Sequence, residues 1–265
     1  MEDTYGWHPH PWRLHLPSEE VHVWRASVSL LRHAASSLER ILSGDEIGMA
    51  RRFKIPLLRE RYTVAHGILR QIVGFYLNVE PNSLVFARKE FGKPFLVHHD
   101  WLRFNLSHSN DIVLIALANE HEVGIDVEYI RYDIDVLELA GHAFSDNEMA
   151  ALRTVPPHLL RRAFFACWTR KEAYLKATGQ GLAIPLKAFD VSVSPEQPPA
   201  LIHQALEPAD LGRWSFQDVP PHPDYTGTVV VRGKPEAIRC WQWLPPERFA
   251  TVALESIAPI VGSTP

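Results

Sequence analysis

Residues Val123 to Ile130 read VGIDVEYI, an alternating run rich in β-branched residues that forms a strand by pattern. Residues Val21 to Leu30, VHVWRASVSL, have the same character 102 positions earlier. The offset recurs: LSGDEIGMARRF starts at Leu42 and FSDNEMAALR starts at Phe144, again 102 positions apart. Both hold the capping box S-x-x-E, Ser43 with Glu46 and Ser145 with Glu148, which satisfies two orphan N–H groups where a helix begins. A long helical pattern follows each, Leu57 to Leu77 and Leu159 to Thr178, the second delayed by the extra loop TVPPH. The repetition predicts an α+β fold of two similar halves related by pseudo-twofold symmetry, with a cleft between them. Further strands, LVFARK, DIVLIALA, FDVSV, WSFQDV and TGTVVV, complete two sheets. The expected division is residues 1–120, beginning with an arm over 1–20, then 121–250, then a tail over 251–265. An interface of this kind is a common place for a ligand.

The chain has 265 residues, a net charge of −4 and 46% hydrophobic residues. It is rich enough in apolar residues to build a packed core. The mild acidity gives no reason to expect nucleic acid as the main partner. No apolar run approaches the ~20 residues a membrane helix needs. Two cysteines, Cys167 and Cys240, stand far apart outside any CxxC pair, so reduced thiols in a cytoplasmic setting are expected. The N-terminus lacks the basic start and apolar run of a secretory signal. His8, His10 and His15 sit among prolines and tryptophans, and a loosely packed arm is the expected reading there rather than a metal site.

Side chains alternate across a strand, so Asp126 and Glu128 share one face while Ile125 and Val127 share the other. Two carboxylates so placed are either a solvated edge or a site for a hard cation such as Mg²⁺, which prefers carboxylate, water and phosphate oxygens. Gly124 before them allows close backbone approach. On the second long helix, WTRKEAYLKATGQG (Trp168 to Gly181) places Glu172 and Lys176 four apart on one face. They are a surface ion pair or, if that face looks into the cleft, a third carboxylate and a phosphate-neutralising lysine. Trp168 lies toward the same side, whereas Lys171 points about 100° away. Ser107, His108 and Ser109, between an apolar entry and a clear strand, suit an anionic group. FGKPFL puts Lys93 in a turn, free to reach a phosphate. There is no G-x-x-x-x-G-K-[ST], G-x-G-x-x-G, H-E-x-x-H or G-x-S-x-G motif.

The ordered set FGKP, FNLSHS, GIDVE, FSDNE and WTRKEAYLKATGQGL resembles the 4′-phosphopantetheinyl transferases of the larger, surfactin-synthetase-activating type. The pairing of GID-x-E with W-x-x-KEA-x-x-K some forty residues later is the most specific part. The resemblance covers about Leu42 to Val193, more weakly to Val231. It implies transfer of the 4′-phosphopantetheine arm of coenzyme A to a serine of an apo acyl or peptidyl carrier protein, by a monomer. Mg²⁺, with Mn²⁺ an alternative, would be held by Asp126, Glu128 and Glu172. Glu172 and Lys176 would be catalytic, with Lys176 on the pyrophosphate and Glu172 the candidate base. Ser107, His108 and Lys93 would hold the 3′-phosphate, with Arg61 near the adenosine end and Arg70 a further basic position. One departure stands out: many members carry basic residues where this chain has Glu46 and Met49. The competing class is a metal-dependent nucleotide or pyrophosphate binding module without catalysis.

Overall fold

The structure, a computed structural model, describes residues 6–9 and 15–244. His10 and the expected tail over 251–265 lie outside the described residues. In chain order the elements are β1 (His8–Pro9), β2 (Glu20–Ser27), α1 (Ala35–Glu39), α2 (Gly44–Arg52), α3 (Pro56–Leu77), β3 (Phe86–Arg88), β4 (Pro94–Leu96), β5 (Leu102–Ser109) and β6 (Ile112–Asn119). They continue with β7 (Val123–Tyr129), α4 (Val136–Ala143), α5 (Asp146–Thr154), α6 (Leu160–Thr178), β8 (Phe189–Val191), β9 (Leu201–Gln204), β10 (Trp214–Asp218), β11 (Tyr225–Arg232) and β12 (Ala237–Gln242). The fold is α+β, as the sequence predicts.

A five-stranded sheet runs β1-β12-β2-β6-β5 and a three-stranded sheet runs β10-β11-β7; β3 with β4 and β8 with β9 are separate pairs. Three apolar clusters order the layers. One packs α3 (Val64, Ile68, Ile72) on Trp24, Ala26, Ile115 and Leu117 of β2 and β6. A second joins the opposite faces of those strands (Val21, Val23, Leu114, Ala116) to Ile125, Val127 and Val229 of the smaller sheet. The third packs α6 (Phe164, Ala173, Tyr174, Ala177) with Phe189, Val191 and Val230. The long helices therefore flank two sheets that face each other.

The capping boxes form in both places, at the starts of α2 and α5. Their glutamates are then used alike. Glu46 accepts from Arg70 Nε of α3 at 2.7 Å, and Arg70 also donates to the carbonyls of Pro81 and Leu84 and stands over the Phe86 ring. Glu148 accepts from Lys171 Nζ of α6 at 2.7 Å, and Lys171 also donates to the Phe189 carbonyl and stands over the Phe189 ring. Each long helix ends on a left-handed residue, Asn78 and Gly179. These parallels agree with two similar halves. They also explain Lys171, whose charge is fully buried against Glu148 and takes no part in the open face of α6.

Three features depart from expectation. LVFARK and FDVSV, expected to complete the two sheets, form β3 and β8, each in its own two-stranded pair. β12, late in the chain, returns to the first sheet and pairs in parallel with β2, and β1 pairs with β12. Trp7, expected in a loose arm, is 3% exposed and donates its indole N–H to the Pro220 carbonyl.

Candidate functional site

β5 and β7 are both edge strands, and their free edges meet. An edge strand's N–H groups need partners. Here side chains supply them: Asn105 Oδ1 accepts from the Ile125 amide at 2.9 Å, and Ser109 Oγ accepts from the Tyr129 amide at 3.0 Å. On β7, Gly124, Asp126 and Glu128 turn to the α6 side. A Cβ at Gly124 would lie 2.2 Å from the Ala173 carbonyl oxygen, so glycine is what lets α6 rest on β7 backbone to backbone. The same contact brings the charges of α6 over Asp126.

From Ala163 to Ala177, every residue of α6 is buried except Trp168, Glu172 and Lys176. They lie four apart, so one stripe of an otherwise enclosed helix stays open. Lys176 Nζ lies 2.6 Å from Asp126 Oδ1 and 2.9 Å from Ser107 Oγ. Ser107 Oγ donates to Asp126 Oδ1 at 2.9 Å, and Ser109 Oγ donates to Glu128 Oε2 at 2.8 Å. Asp126 Oδ2 is buried with no hydrogen-bond partner. Glu172 makes no hydrogen bond or ion pair among the described residues. Burial, then the charge of Asp126, pushes the Glu128 carboxyl up to about 7, against the hydrogen bond from Ser109. Burial and Asp126 likewise raise Glu172, against the attraction of Lys176. Carboxylates that disfavour one another's ionisation are short of positive charge.

The expected metal ligands are thus neighbours, but they do not form a ready cage: among the described residues no three His, Cys, Asp or Glu side chains converge to hold one ion. The physical reason is visible. The Lys176 ammonium stands on Asp126, and Glu128 is turned to Ser109. The donor chemistry still fits an oxygen-seeking cation, because Asp126 Oδ2 is unpaired and Glu172 is free.

The residues expected together around the 3′-phosphate do not share one face. The strand continues through Ser109, so Ser107 and His108 point to opposite faces. Ser107 faces β7. His108 is exposed on one side; the protein packed on its other side, then His66, Lys176 and Arg61, lowers its pKa. Arg61 donates to Asn110 Oδ1 at 2.7 Å, beside the end of β5. Lys93 is not free: its Nζ lies 2.7 Å from Glu122 Oε2, 3.1 Å from the Val123 carbonyl and 2.9 Å from that of Ala177. An ammonium has three donors, and all three are taken. Lys93 ties the end of α6 to the start of β7. Arg70 is buried against Glu46, which also lies 3.6 Å from His66 Nδ1, while Arg51 and Arg52 are exposed. A cavity of about 300 Å³ opens beside the seam, walled by Phe91, Pro94, Leu106 and Leu175, with Glu172 and Lys176 in its lining. Ser109, expected with Ser107 and His108 to suit an anionic group, instead bonds Glu128 and the Tyr129 amide; the residue sequence reasoning passed over is Asn105, whose signal was the period-two run Asn105, Ser107, Ser109.

An edge-to-edge seam between two α/β layers, with carboxylates and a lysine on an open helix stripe, suits binding and transfer of a phosphorylated group. Residues 22–120 match the family model described as 4′-phosphopantetheinyl transferase, N-terminal, and residues 122–230 match that of the 4′-phosphopantetheinyl transferase superfamily. The chain belongs to the 4′-phosphopantetheinyl transferase superfamily. The 4′-phosphopantetheinyl transferase HetI of Nostoc sp. is 38% identical over 232 residues, covering 86% of this chain and 94% of that protein. The 4′-phosphopantetheinyl transferase gsp of Aneurinibacillus migulanus is 35% identical over 144 residues, 54% of this chain and 59% of that one. Among solved structures, Thermotoga maritima holo-[acyl-carrier-protein] synthase aligns with a TM-score of 0.34 and 23% identity, covering 43% of this chain and 63% of that one.

Proposed function

We propose that this chain transfers the 4′-phosphopantetheine arm of coenzyme A to a serine of an apo acyl or peptidyl carrier protein, releasing adenosine 3′,5′-bisphosphate, at the seam of β5, β7 and α6. The observation that carries the reading is the open stripe of α6, which brings Glu172 and Lys176 to Asp126 and Glu128 in a helix otherwise buried. The gap between the two family matches, at residue 121, supports a division into halves there, with the site between them.

The chemistry asks for charge compensation, a proton acceptor and alignment. Lys176 is placed to neutralise the pyrophosphate, leaving Asp126 as the phosphate arrives. Glu172, unpaired and raised in pKa, is placed to accept the serine proton, directly or through water. Asp126, Glu128 and Glu172 would hold Mg²⁺ or Mn²⁺, which would polarise the phosphoanhydride. The cavity beside Phe91 and Leu106 offers an apolar wall for the coenzyme, and Arg61 with His108 offers positive charge at the end of β5. As in phosphoryl transfer generally, positioning and electrostatics carry most of the catalysis.

No helix among the described residues is long and apolar enough to cross a membrane. A cytoplasmic monomer, with carrier proteins and coenzyme A as its partners, suits the reading. The test mixes the protein with apo carrier protein, coenzyme A and Mg²⁺ and follows the carrier by intact-mass spectrometry. A gain of one phosphopantetheine on serine is expected. Binding of coenzyme A with no mass gain on acyl or peptidyl carriers would favour the non-catalytic binding module instead.

A further inference from the structure

β11 pairs with β7 in antiparallel register, with Thr228 opposite Asp126 and Thr226 opposite Glu128. Residues directly opposite share a face, and their Cβ atoms stand about 4.5–5.5 Å apart. Thr228 shows that this is the α6 face, because its hydroxyl meets that of Thr169 at 3.1 Å. Thr226 is two positions away on the same strand and points to the same side. The two threonines differ in what holds them. Thr228 Oγ1 donates to Asp218 Oδ1 at 2.9 Å. Thr226 is 6% exposed, and its Oγ1 is buried with no hydrogen-bond partner. A buried hydroxyl left unsatisfied is costly, so it asks for an explanation. The carboxylate set opposite it, Glu128, is turned the other way, to Ser109 at 2.8 Å. On the same face Asp126 Oδ2 is also buried without a partner. Glu128 therefore stands beside two unsatisfied oxygens, a hydroxyl that lacks an acceptor and a carboxylate oxygen that lacks positive charge. A Glu128 side chain leaving β5 moves toward β11 and α6, where both needs are met.

We propose that Thr226 is a positioning residue of the cation site. When Glu128 leaves Ser109 and turns to an ion shared with Asp126 and Glu172, one of its oxygens takes the ion and the other accepts the Thr226 hydroxyl. The Ser109-bonded arrangement is then the ion-free one. The inference rests on the transfer reading above, in which these carboxylates take the cation. Partners that orient a metal's ligands commonly change its affinity by about 10–100-fold when removed.

The test uses the full chain with Mn²⁺ alone as probe, reads the free ion by electron paramagnetic resonance, and adds thermal melts of the ion-free proteins. Thr226→Val keeps the β-branched shape and removes the hydroxyl. Since that hydroxyl is unpaired without the ion, the variant is expected to unfold at or above the wild-type temperature. It is nevertheless expected to bind Mn²⁺ about 10-fold or more weakly. Thr226→Ser, which returns the hydroxyl, is expected to recover the affinity. Glu128→Ala keeps Asp126 and Glu172 as ligands, and adding Thr226→Val to it is expected to cost no further affinity. Wild-type Mn²⁺ affinity in Thr226→Val, or no recovery in Thr226→Ser, would overturn the assignment. A Thr226→Val protein melting well below the wild type would make the residue structural and overturn it as well. A loss that persists in the Glu128→Ala background would overturn the route through Glu128. Absence of Mn²⁺ binding by the wild type would overturn the cation reading and the positioning role together. Coenzyme and carrier are left out, so these results are read separately from the transfer assay.

Discussion

Replacing Gly124 by alanine tests how the site is assembled. The added Cβ would lie 2.2 Å from the Ala173 carbonyl oxygen, 2.3 Å from the Ala177 nitrogen and 2.8 Å from Ala177 Cα. All three are backbone atoms of α6, so no side chain can swing aside. Comfortable separations are about 3.5 Å or more, so the helix must retreat from β7 by roughly 1 Å. Overpacking of this kind costs about 1–3 kcal/mol. For a domain of this size that corresponds to about 2–4 °C of Tm per kcal/mol. Activity should suffer more than stability. Glu172 and Lys176 ride on the displaced helix, and a misplacement of about 1 Å can cost ~100-fold in rate. Gly124→Ala is thus expected to unfold a few degrees early, keep its circular dichroism spectrum, and modify carrier protein at least ~100-fold more slowly. The assay is mass-spectrometric transfer at saturating coenzyme, paired with a thermal melt. Wild-type turnover together with a wild-type melt would refute the claim that backbone contact between β7 and α6 sets the site.

Lys171→Met leaves Glu148 buried without its partner and should cost about 3–5 kcal/mol in urea unfolding, much of it recovered when Glu148→Gln is added. The metal-free protein should lose stability as pH rises from about 4.5 to about 7. Over that window the unfolded chain releases the Glu128 proton while the folded one still holds it. Melts across that range should show the slope, and Glu128→Gln should flatten it. His108→Ala should raise the KM for coenzyme A more than it lowers kcat, and should have little effect with 3′-dephospho-coenzyme A, since His108 is placed with Arg61 rather than with Glu172; steady-state kinetics with both coenzymes decide this.

Much of the frame is legible in the sequence because it rests on short-range signals. The capping boxes at Ser43 and Ser145 form where the motifs stand, and the four-residue spacing of Trp168, Glu172 and Lys176 does define the open stripe. Long-range partners leave no such signal. Lys171 looks like a solvated charge until Glu148, 23 positions away, is packed against it. Lys93 looks free in its turn because Glu122 and the end of α6 meet it only in three dimensions. The strand character of SHS is hidden because Ser107 and Ser109 face the other half of the molecule, not water, while His108 between them is exposed. Alternation still holds there, with Leu102, Phe104 and Leu106 toward the α3 core and Asn105, Ser107 and Ser109 toward β7. The return of β12 to the first sheet follows from pairing with β2, which local pattern does not encode.

The central claim is that Asp126, bridging Lys176 and Ser107 and holding one unpaired oxygen, stands at the centre of the transfer site. Intact-mass spectrometry of an apo carrier protein, incubated with coenzyme A, Mg²⁺ and either wild-type or Asp126→Ala protein, tests it most directly. The account predicts a carrier that gains one phosphopantetheine with the wild type and stays apo with the variant, whose circular dichroism spectrum is unchanged. Carrier modified by Asp126→Ala at the wild-type rate would contradict it.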